Sequence, residues 1–360
     1  LNQISVKVIL MDLNEILLEC FQKKASDVHI TAGIPIVFRI NGELVYRDDR
    51  VLTPKECEQL SKQCIGDEAY NIFSSSGEMD TSYAIPNIGR FRVNLYKQRG
   101  TVAMAFRSIA YEIPKIETLG LPQVVYQFVA KQRGLVLVTG PTGSGKSTSL
   151  AAMVDYINSN RRCHILTIED PIEYMHKHKR SVVNQREIGN DTVSYTKALR
   201  AALREDPDVI LIGEMRDLET ISIALTAAET GHLVFSTLHT VGAAKTIDRI
   251  VDVFPPHQQP QVRNQLSTVL QGIISQQLIV NKDGMGRSVA TEVMTLTSAT
   301  SNLIREAKTP QINSCIYNGA QFGMHSMDTS IAKLYKAGKI SYESACEFAI
   351  DIDNLKRLLV

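Results

Sequence analysis

The sequence predicts an α/β chain in two parts, a small α+β domain followed by a mostly parallel sheet flanked by helices. Three observations carry this. A short apolar run, 135–138, leads without a gap into a glycine-rich loop and an amphipathic helix marked by Leu150, Met153, Val154 and Ile157. Beyond it, strand-like runs at 163–168, 209–212 and 233–237 alternate with helical ones at 195–204 and 218–229, the β-α alternation of a parallel sheet. Before it, short strands flank the turn pair Asn41-Gly42, which is an antiparallel signature.

Composition bounds the rest. The chain has 360 residues, enough for about two domains. Its formal net charge is +1, so no global field draws it to nucleic acid or an anionic membrane. The six cysteines, at 20, 57, 64, 163, 315 and 346, form no C-x-x-C pair, so neither zinc nor a redox pair is indicated. They are expected as core fillers in a reducing compartment. No apolar run reaches the ~20 residues of a membrane span, and no signal peptide is read. A cytoplasmic chain is expected, with any membrane role peripheral. Residues 1–10 look detached from the remainder of the chain, with Met11 as a natural start.

The first domain is expected over 11–108. Leu13, Ile16, Leu17, Cys20 and Phe21 fall at helical spacing, giving a helix over 12–23. Val28 and Ile30 alternate with polar neighbours as in a strand. Runs 34–40 and 43–46 form the arms of a hairpin around Asn41-Gly42. Thr53-Pro54-Lys55-Glu56 is a capping box with proline in the first turn, so a helix runs to about Ile65. Runs 83–85, 90–98 and 101–108 complete an antiparallel, curled sheet. Arg90, Arg92 and Asn94 share one face of it, and Arg107 closes the last strand. On these residues alone a solvated face is the preferred reading. The sharper one has Arg92 and Arg107 reaching a γ-phosphate across the domain boundary.

Residues 109–121 carry two prolines and a glycine and read as a linker, and Pro122 opens a helix through Val129. The second domain is expected over 122–360. Gly140, Gly145, Lys146 and Ser147 fit G-x-x-x-x-G-K-[ST], so Pro141, Thr142, Gly143, Ser144, Gly145, Lys146, Ser147 and Thr148 are the expected nucleotide contacts. Glycines let backbone N–H groups curl around phosphate, and the helix beginning near Lys146 points its positive end at the same anion. Lys146 should reach the β- and γ-phosphates, and Ser147 should hold Mg²⁺.

In such sheets ligands bind at the carboxyl ends of strands. The run 163–168 ends in Glu169-Asp170-Pro171-Ile172-Glu173, whose adjacent carboxylates can hold Mg²⁺ or orient its waters. The run 209–212 ends in Gly213-Glu214. Many phosphate-loop enzymes place Asp directly after this strand. With Gly213 standing there, Glu214 is the candidate to polarise the attacking water, and Mg²⁺ relies on Ser147 and Glu169. Asp217 is expected to cap the next helix. The run 233–237 leads to His239, as readily a structural histidine as a γ-phosphate sensor. His232, before the strand, carries less weight. The basic run Met175-His-Lys-His-Lys-Arg180 is expected as a solvated hairpin tip, with attraction to phosphates or headgroups the alternative. Further on, 276–280 and 288–294 form a hairpin, and 299–307, 327–337 and 341–350 are helical. Ser326 or Asp328 is expected to cap the second of these.

Taken together, Gly140-Pro-Thr-Gly-Ser-Gly-Lys-Ser-Thr148, Ile168-Glu-Asp-Pro-Ile-Glu173, Leu203-Arg-Glu-Asp-Pro-Asp208, Gly213-Glu-Met-Arg-Asp217 and Thr230-Gly-His-Leu-Val-Phe-Ser-Thr-Leu-His-Thr240 resemble the type II/IV secretion ATPase superfamily. Val183-Asn-Gln-Arg-Glu-Ile-Gly189 and Ser301-Asn-Leu-Ile-Arg-Glu306 narrow the resemblance to type IV pilus retraction ATPases, the PilT family. Ala25-Ser-Asp-Val-His-Ile30 and Gly89-Arg-Phe-Arg-Val-Asn94 fit it as well.

The resemblance implies a PAS-like N-terminal domain, a RecA-like P-loop NTPase domain and a ring-shaped homohexamer. It places Glu169 and Asp170 in an acidic box, makes Glu214 the catalytic glutamate, and puts His239 and His232 in a histidine box. It raises Arg92 and Arg107 to γ-phosphate ligands. Arg200, Arg204 and His232 become inter-subunit candidates. Ser301, Asn302, Leu303, Ile304, Arg305 and Glu306 form the retraction motif. The implied activity is Mg²⁺-dependent ATP hydrolysis driving pilus retraction and twitching motility. The implied partners are an inner-membrane platform protein and, through it, pilin, at the cytoplasmic membrane face and without nucleic acid. Extension and secretion motors of the superfamily carry an added N-terminal domain and a four-cysteine zinc insertion, and neither is seen here. A RecA-like nucleic-acid motor is disfavoured by the near-neutral charge. A non-enzymatic regulator is disfavoured by the presence of Glu214.

Overall fold

A computed structural model describes residues 11–40, 42–86, 88–109 and 112–359. The expectation for residues 1–10 and the Asn41 half of the hairpin turn lie outside the described residues. The chain divides into two compact units, the second beginning at Ile113.

The first unit runs α1 (Leu13–Gln22), β1 (Asp27–Thr31), β2 (Val37–Ile40), β3 (Glu43–Tyr46), α2 (Pro54–Ser76), β4 (Glu78–Ile85), β5 (Gly89–Gln98) and β6 (Thr101–Ile109). Its strands form one antiparallel sheet in the order β3-β2-β1-β6-β5-β4. Asp12 caps α1 through the Asn14 N–H, and the Thr53–Glu56 capping box opens α2. Leu13, Ile16, Leu17 and Phe73 pack with Phe38, Phe91 and Phe106 from the sheet. Burying such side chains contributes ~1.5–3 kcal/mol each, which is what holds the two helices to the strands. Cys20 and Cys57 are fully buried in the same core. The helix expected to stop near Ile65 does break at Gly66, at φ 78°, but it resumes as far as Ser76. Past the break only Phe73 is buried, so the sequence there has no helical apolar stripe to read.

The second unit opens with Ile116, buried in a 3-10 turn, so ordered packing starts before Pro122. Then come α3 (Val125–Val129), β7 (Gly134–Thr139), α4 (Lys146–Asn160), β8 (His164–Glu169), β9 (Val182–Glu187), α5 (Tyr195–Ala202), β10 (Val209–Ile212), α6 (Leu218–Glu229) and β11 (Leu233–Leu238). They are followed by α7 (Ala243–Asp252), α8 (Gln259–Val269), β12 (Leu270–Val280), β13 (Arg287–Thr295), α9 (Ser298–Arg305), α10 (Ile312–Asn318), α11 (Met327–Lys336), α12 (Tyr342–Phe348) and α13 (Ile352–Leu359). The sheet order is β13-β12-β7-β11-β10-β8-β9, parallel throughout except for β13. The chain leaves β7, skips outward to β8 and returns, so β7 lies between β11 and β12. Successive residues of β7 feed opposite cores, Leu135 and Leu137 one face, Val136 and Val138 the other.

One local expectation is corrected and a second is narrowed. The basic run before β9 is no hairpin tip, because β8 and β9 are parallel and 170–181 is the crossover between them. Its His176 side chain is buried, 3.9 Å from Asp155 of α4, and Lys179 bonds the same carboxylate at 2.7 Å. The run is therefore laid along α4, with Lys177, Lys179 and Arg180 exposed. At α11 the cap is Ser326. Asp328 instead accepts from the Ile350 and Asp351 N–H groups at 2.8 and 3.1 Å. Among the described residues no helix is long and apolar enough to cross a membrane.

Candidate active site

The site is built on the carboxyl end of the second unit's sheet. β7 delivers the chain into the loop at Gly140, whose φ is 142°. A Cβ there would stand 2.2 Å from the Gln276 carbonyl oxygen, so only glycine fits. Gly143 and Gly145 also take positive φ, and α4 then starts at Lys146 with no side-chain cap on its first N–H groups. Those donors are left for an anion. Lys146 is buried, and its Nζ donates to the Gly140 and Pro141 carbonyls at 2.9 and 3.0 Å. Burial lowers its pKa, while the carboxylates of Glu173 and Glu214 oppose that. Pro141, Thr142 and Gly143 are exposed at the loop tip, and Ser144 is buried behind it. Ser147 and Thr148 lie in the first turn of α4, with Thr148 Oγ1 2.9 Å from the Tyr174 hydroxyl.

Three neighbouring strand ends carry the other candidate residues. At the end of β10, Glu214 takes an ion pair from Arg216 Nε at 2.7 Å, and its Oε2 lies 3.4 Å from His239 Nε2. His239, following β11, turns its other ring nitrogen to Thr142 Oγ1 at 3.4 Å. The structure thus brings Glu214, His239 and the phosphate loop together. At the end of β8, Glu169 Oε1 accepts from Thr167 Oγ1 at 2.6 Å and Gln185 Nε2 at 3.2 Å. Burial pushes its carboxyl up. The Thr167 and Gln185 hydrogen bonds and His176 pull it down, and Glu173 pushes it further up.

Gly213 has its own reason. A Cβ at that position would stand 2.8 Å from the Tyr195 hydroxyl oxygen and 3.4 Å from Glu169 Cα. Tyr195, from the start of α5, occupies the space an aspartate side chain would use. Burial pushes its hydroxyl pKa up, and Asp170, Glu214 and Glu169 add to the shift.

A family model described as type II/IV secretion system protein matches residues 2–339. The chain is 49% identical over 339 residues to the type IV pilus retractation ATPase PilT of Pseudomonas aeruginosa, covering 94% of this chain and 98% of that one. The chain belongs to the type II/IV secretion system protein family. Among its secretion-ATPase relatives is a twitching motility protein of Neisseria gonorrhoeae, 47% identical over 90% of this chain and 86% of that one. A crystal structure of the pilus retraction motor PilT with bound ADP superposes with a TM-score of 0.91 at 49% identity. That match covers 96% of this chain and 99% of the other.

The remaining candidates of this secretion ATPase fall elsewhere. Arg92 and Arg107, in the first unit, stand directly opposite each other on β5 and β6. Both are exposed, and Arg107 Nε bonds Asp27 Oδ1 at 2.9 Å. His232 sits before β11, at the sheet end opposite the phosphate loop, with Nδ1 2.9 Å from the Ala227 carbonyl. Arg200 pairs with Glu219 on the surface, and Arg204 is exposed. In the 301–306 segment, Ile304 is fully buried and Ser301 Oγ donates to the Ser267 carbonyl at 2.7 Å. Asn302, Arg305 and Glu306 face outward, Asn302 bonding Glu306 at 2.9 Å.

For Mg²⁺ the donor chemistry fits. Ser147 offers a hydroxyl in the first turn of α4. Both protein donors to Glu169 fall on Oε1, which leaves Oε2 for a cation or its waters. A carboxyl pushed up in pKa is one that a divalent cation would return to its charged form.

Sequence reasoning missed Tyr195, Arg216, Gln185 and Gln276. The Gln276 amide donates to the Ser144 carbonyl at 2.6 Å and braces the loop from β12. Arg216 lies inside the 213–217 motif and Gln185 inside the 183–189 motif, so those two stretches were the available signals among the four.

Proposed function

We propose that this chain is the ATP-hydrolysing motor of type IV pilus retraction. The observation that carries the reading is the Glu214–His239–Thr142 constellation closing over the phosphate loop at Lys146. Loop amides and Lys146 bind the β- and γ-phosphates. Glu214 takes a proton from the attacking water as it meets the γ-phosphate. His239 reports the γ-phosphate through its contacts to Glu214 and Thr142. Ser147 and Glu169 would hold Mg²⁺, which would supply charge neutralisation at the phosphates. Arg92 and Arg107 add positive charge as it develops on the γ-phosphate.

The working form in this reading is a homohexameric ring. Each site is completed against a neighbour, with Arg200, Arg204 and His232 at the subunit boundary. The outward side chains of 301–306 form the retraction motif. Turnover moves N-terminal domains against ATPase domains, at the cytoplasmic face of the inner membrane. A platform protein there passes the motion to pilin at the filament base. The relatives named as a retraction ATPase and a twitching motility protein support retraction over extension.

Surface piliation and surface motility of cells carrying Lys146→Ala test this. Normal or excess pili with lost motility are expected. Bald cells would make the motor an extension or secretion ATPase instead.

A further inference from the structure

The two residues that open α7, Gly242 and Ala243, follow the His239 segment directly. The Gly242 N–H donates to Ser275 Oγ at 2.9 Å, and the Ala243 N–H donates to Glu292 Oε1 at 2.8 Å. Ser275 and Glu292 are register partners across β12 and β13. Two consecutive amides at the start of one helix thus land on two opposed side chains of one hairpin. Ser275 is fully buried. The Glu292 carboxylate also takes the Met327 N–H, the first residue of α11. It therefore joins two helix starts, where a negative charge is favourable. Asp328, Lys245 and Tyr317 line the cleft beside it, with Gly242 at its edge. Burial raises the Glu292 carboxyl pKa, and the two amides hold it back. Neither residue belongs to a recognisable motif.

We infer that Ser275 and Glu292 are positioning residues for His239. They fix the first turn of α7, and with it the segment 239–241 that holds the imidazole between Glu214 and Thr142. Through Met327, Glu292 links that position to the C-terminal helices. The inference rests on His239 acting as the γ-phosphate sensor.

The test measures kcat, KM, ADP affinity and thermal stability of the full chain with Mg·ATP. It compares Ser275→Ala, Glu292→Leu, Glu292→Gln, His239→Ala and the Glu292→Leu/His239→Ala double variant. Glu292→Leu is expected to lower kcat about tenfold, with KM and ADP affinity within about twofold, because misplacing one group costs rate more than binding. Glu292→Gln keeps one acceptor oxygen and should fall between the two. In the His239→Ala background, Glu292→Leu should cost less than about a further twofold, since the group it positions is gone. If the two effects multiply instead, or if kcat and KM change only in step with stability, the positioning role is overturned while His239 stands. If His239→Ala alone leaves kcat unchanged, the sensor reading fails and takes the inference with it. Should Glu292→Leu not fold, Ser275→Ala carries the same expectations.

Discussion

His239 stands between Glu214 and the phosphate loop, its Nε2 3.4 Å from Glu214 Oε2 and its Nδ1 3.4 Å from Thr142 Oγ1. Both contacts are long for hydrogen bonds, so the ring can tighten on either side when a phosphate arrives. Glu214 thus meets the loop through that ring, besides its charge acting on Lys146. Glu214→Gln keeps the shape and removes the proposed base. It should lower kcat by about 10²–10³ while leaving ADP affinity unchanged, as read by phosphate release and titration calorimetry. Hydrolysis within about tenfold of wild type would place the base elsewhere.

Gly213 and Tyr195 make a second pair that can be separated. Gly213→Ala puts a methyl 2.8 Å from the Tyr195 hydroxyl oxygen, and should destabilise by about 1–3 kcal/mol as an overpacked site. Adding Tyr195→Phe removes that oxygen and should restore much of the loss in a denaturant titration. An additive double variant would show that the Glu169 backbone, not Tyr195, sets the limit.

Glu169 gives a pH signature. Its folded-state pKa is raised above the ordinary 4.5 by burial. The folded state therefore binds the proton more tightly than the unfolded one, so this group's contribution to stability falls as pH rises from 4.5 through the raised value. Glu169→Gln should make the nucleotide-free, metal-free protein more stable than wild type at about pH 8. The gap should close as pH falls towards 4.5, measured by thermal melts of both proteins. Mg·ADP should narrow the gap at the alkaline end by favouring the charged wild-type carboxylate.

Arg92 and Arg107 test the proposed reach of the first unit. Arg107 is 74% exposed, and removing it leaves Asp27 with Ser26 at 2.7 Å and Arg39 at 3.8 Å. Arg107→Ala should cost under about 1 kcal/mol of stability. Each alanine variant should lower kcat about a hundredfold, and lysine should not rescue it, because the planar fork is lost. Unchanged turnover would return both arginines to a solvated surface.

The parts of the site legible in the sequence are those carried by contiguous chain. Lys146, Glu169, Glu214 and His239 each follow a strand-like run, and a parallel sheet brings the ends of such runs together. The contacts of Tyr195, Gln185 and Gln276 were not legible, although Gln185 lies inside the 183–189 motif. Their partners are Gly213, Glu169 and Ser144, each on another element, and no spacing records a contact made across a fold. The same holds for His176, which looks solvated within a basic run and is buried only because the crossover is laid along α4. The helix after Gly66 went unread for the opposite reason, since a mostly exposed helix has no stripe. At α11, Ser326 and Asp328 are equivalent as caps by residue type, and the structure gives Asp328 to the turn before α13.

All six residues of β7 are buried, and the strand is hydrogen-bonded along both sides, to β11 and to β12. A strand held that way is among the last parts of a domain to yield. The phosphate loop is thus mounted on a firm footing, a strand gripped from both sides. The margins of that sheet, β9 and β13, are each paired on one side and give way more readily than the strand that carries the loop.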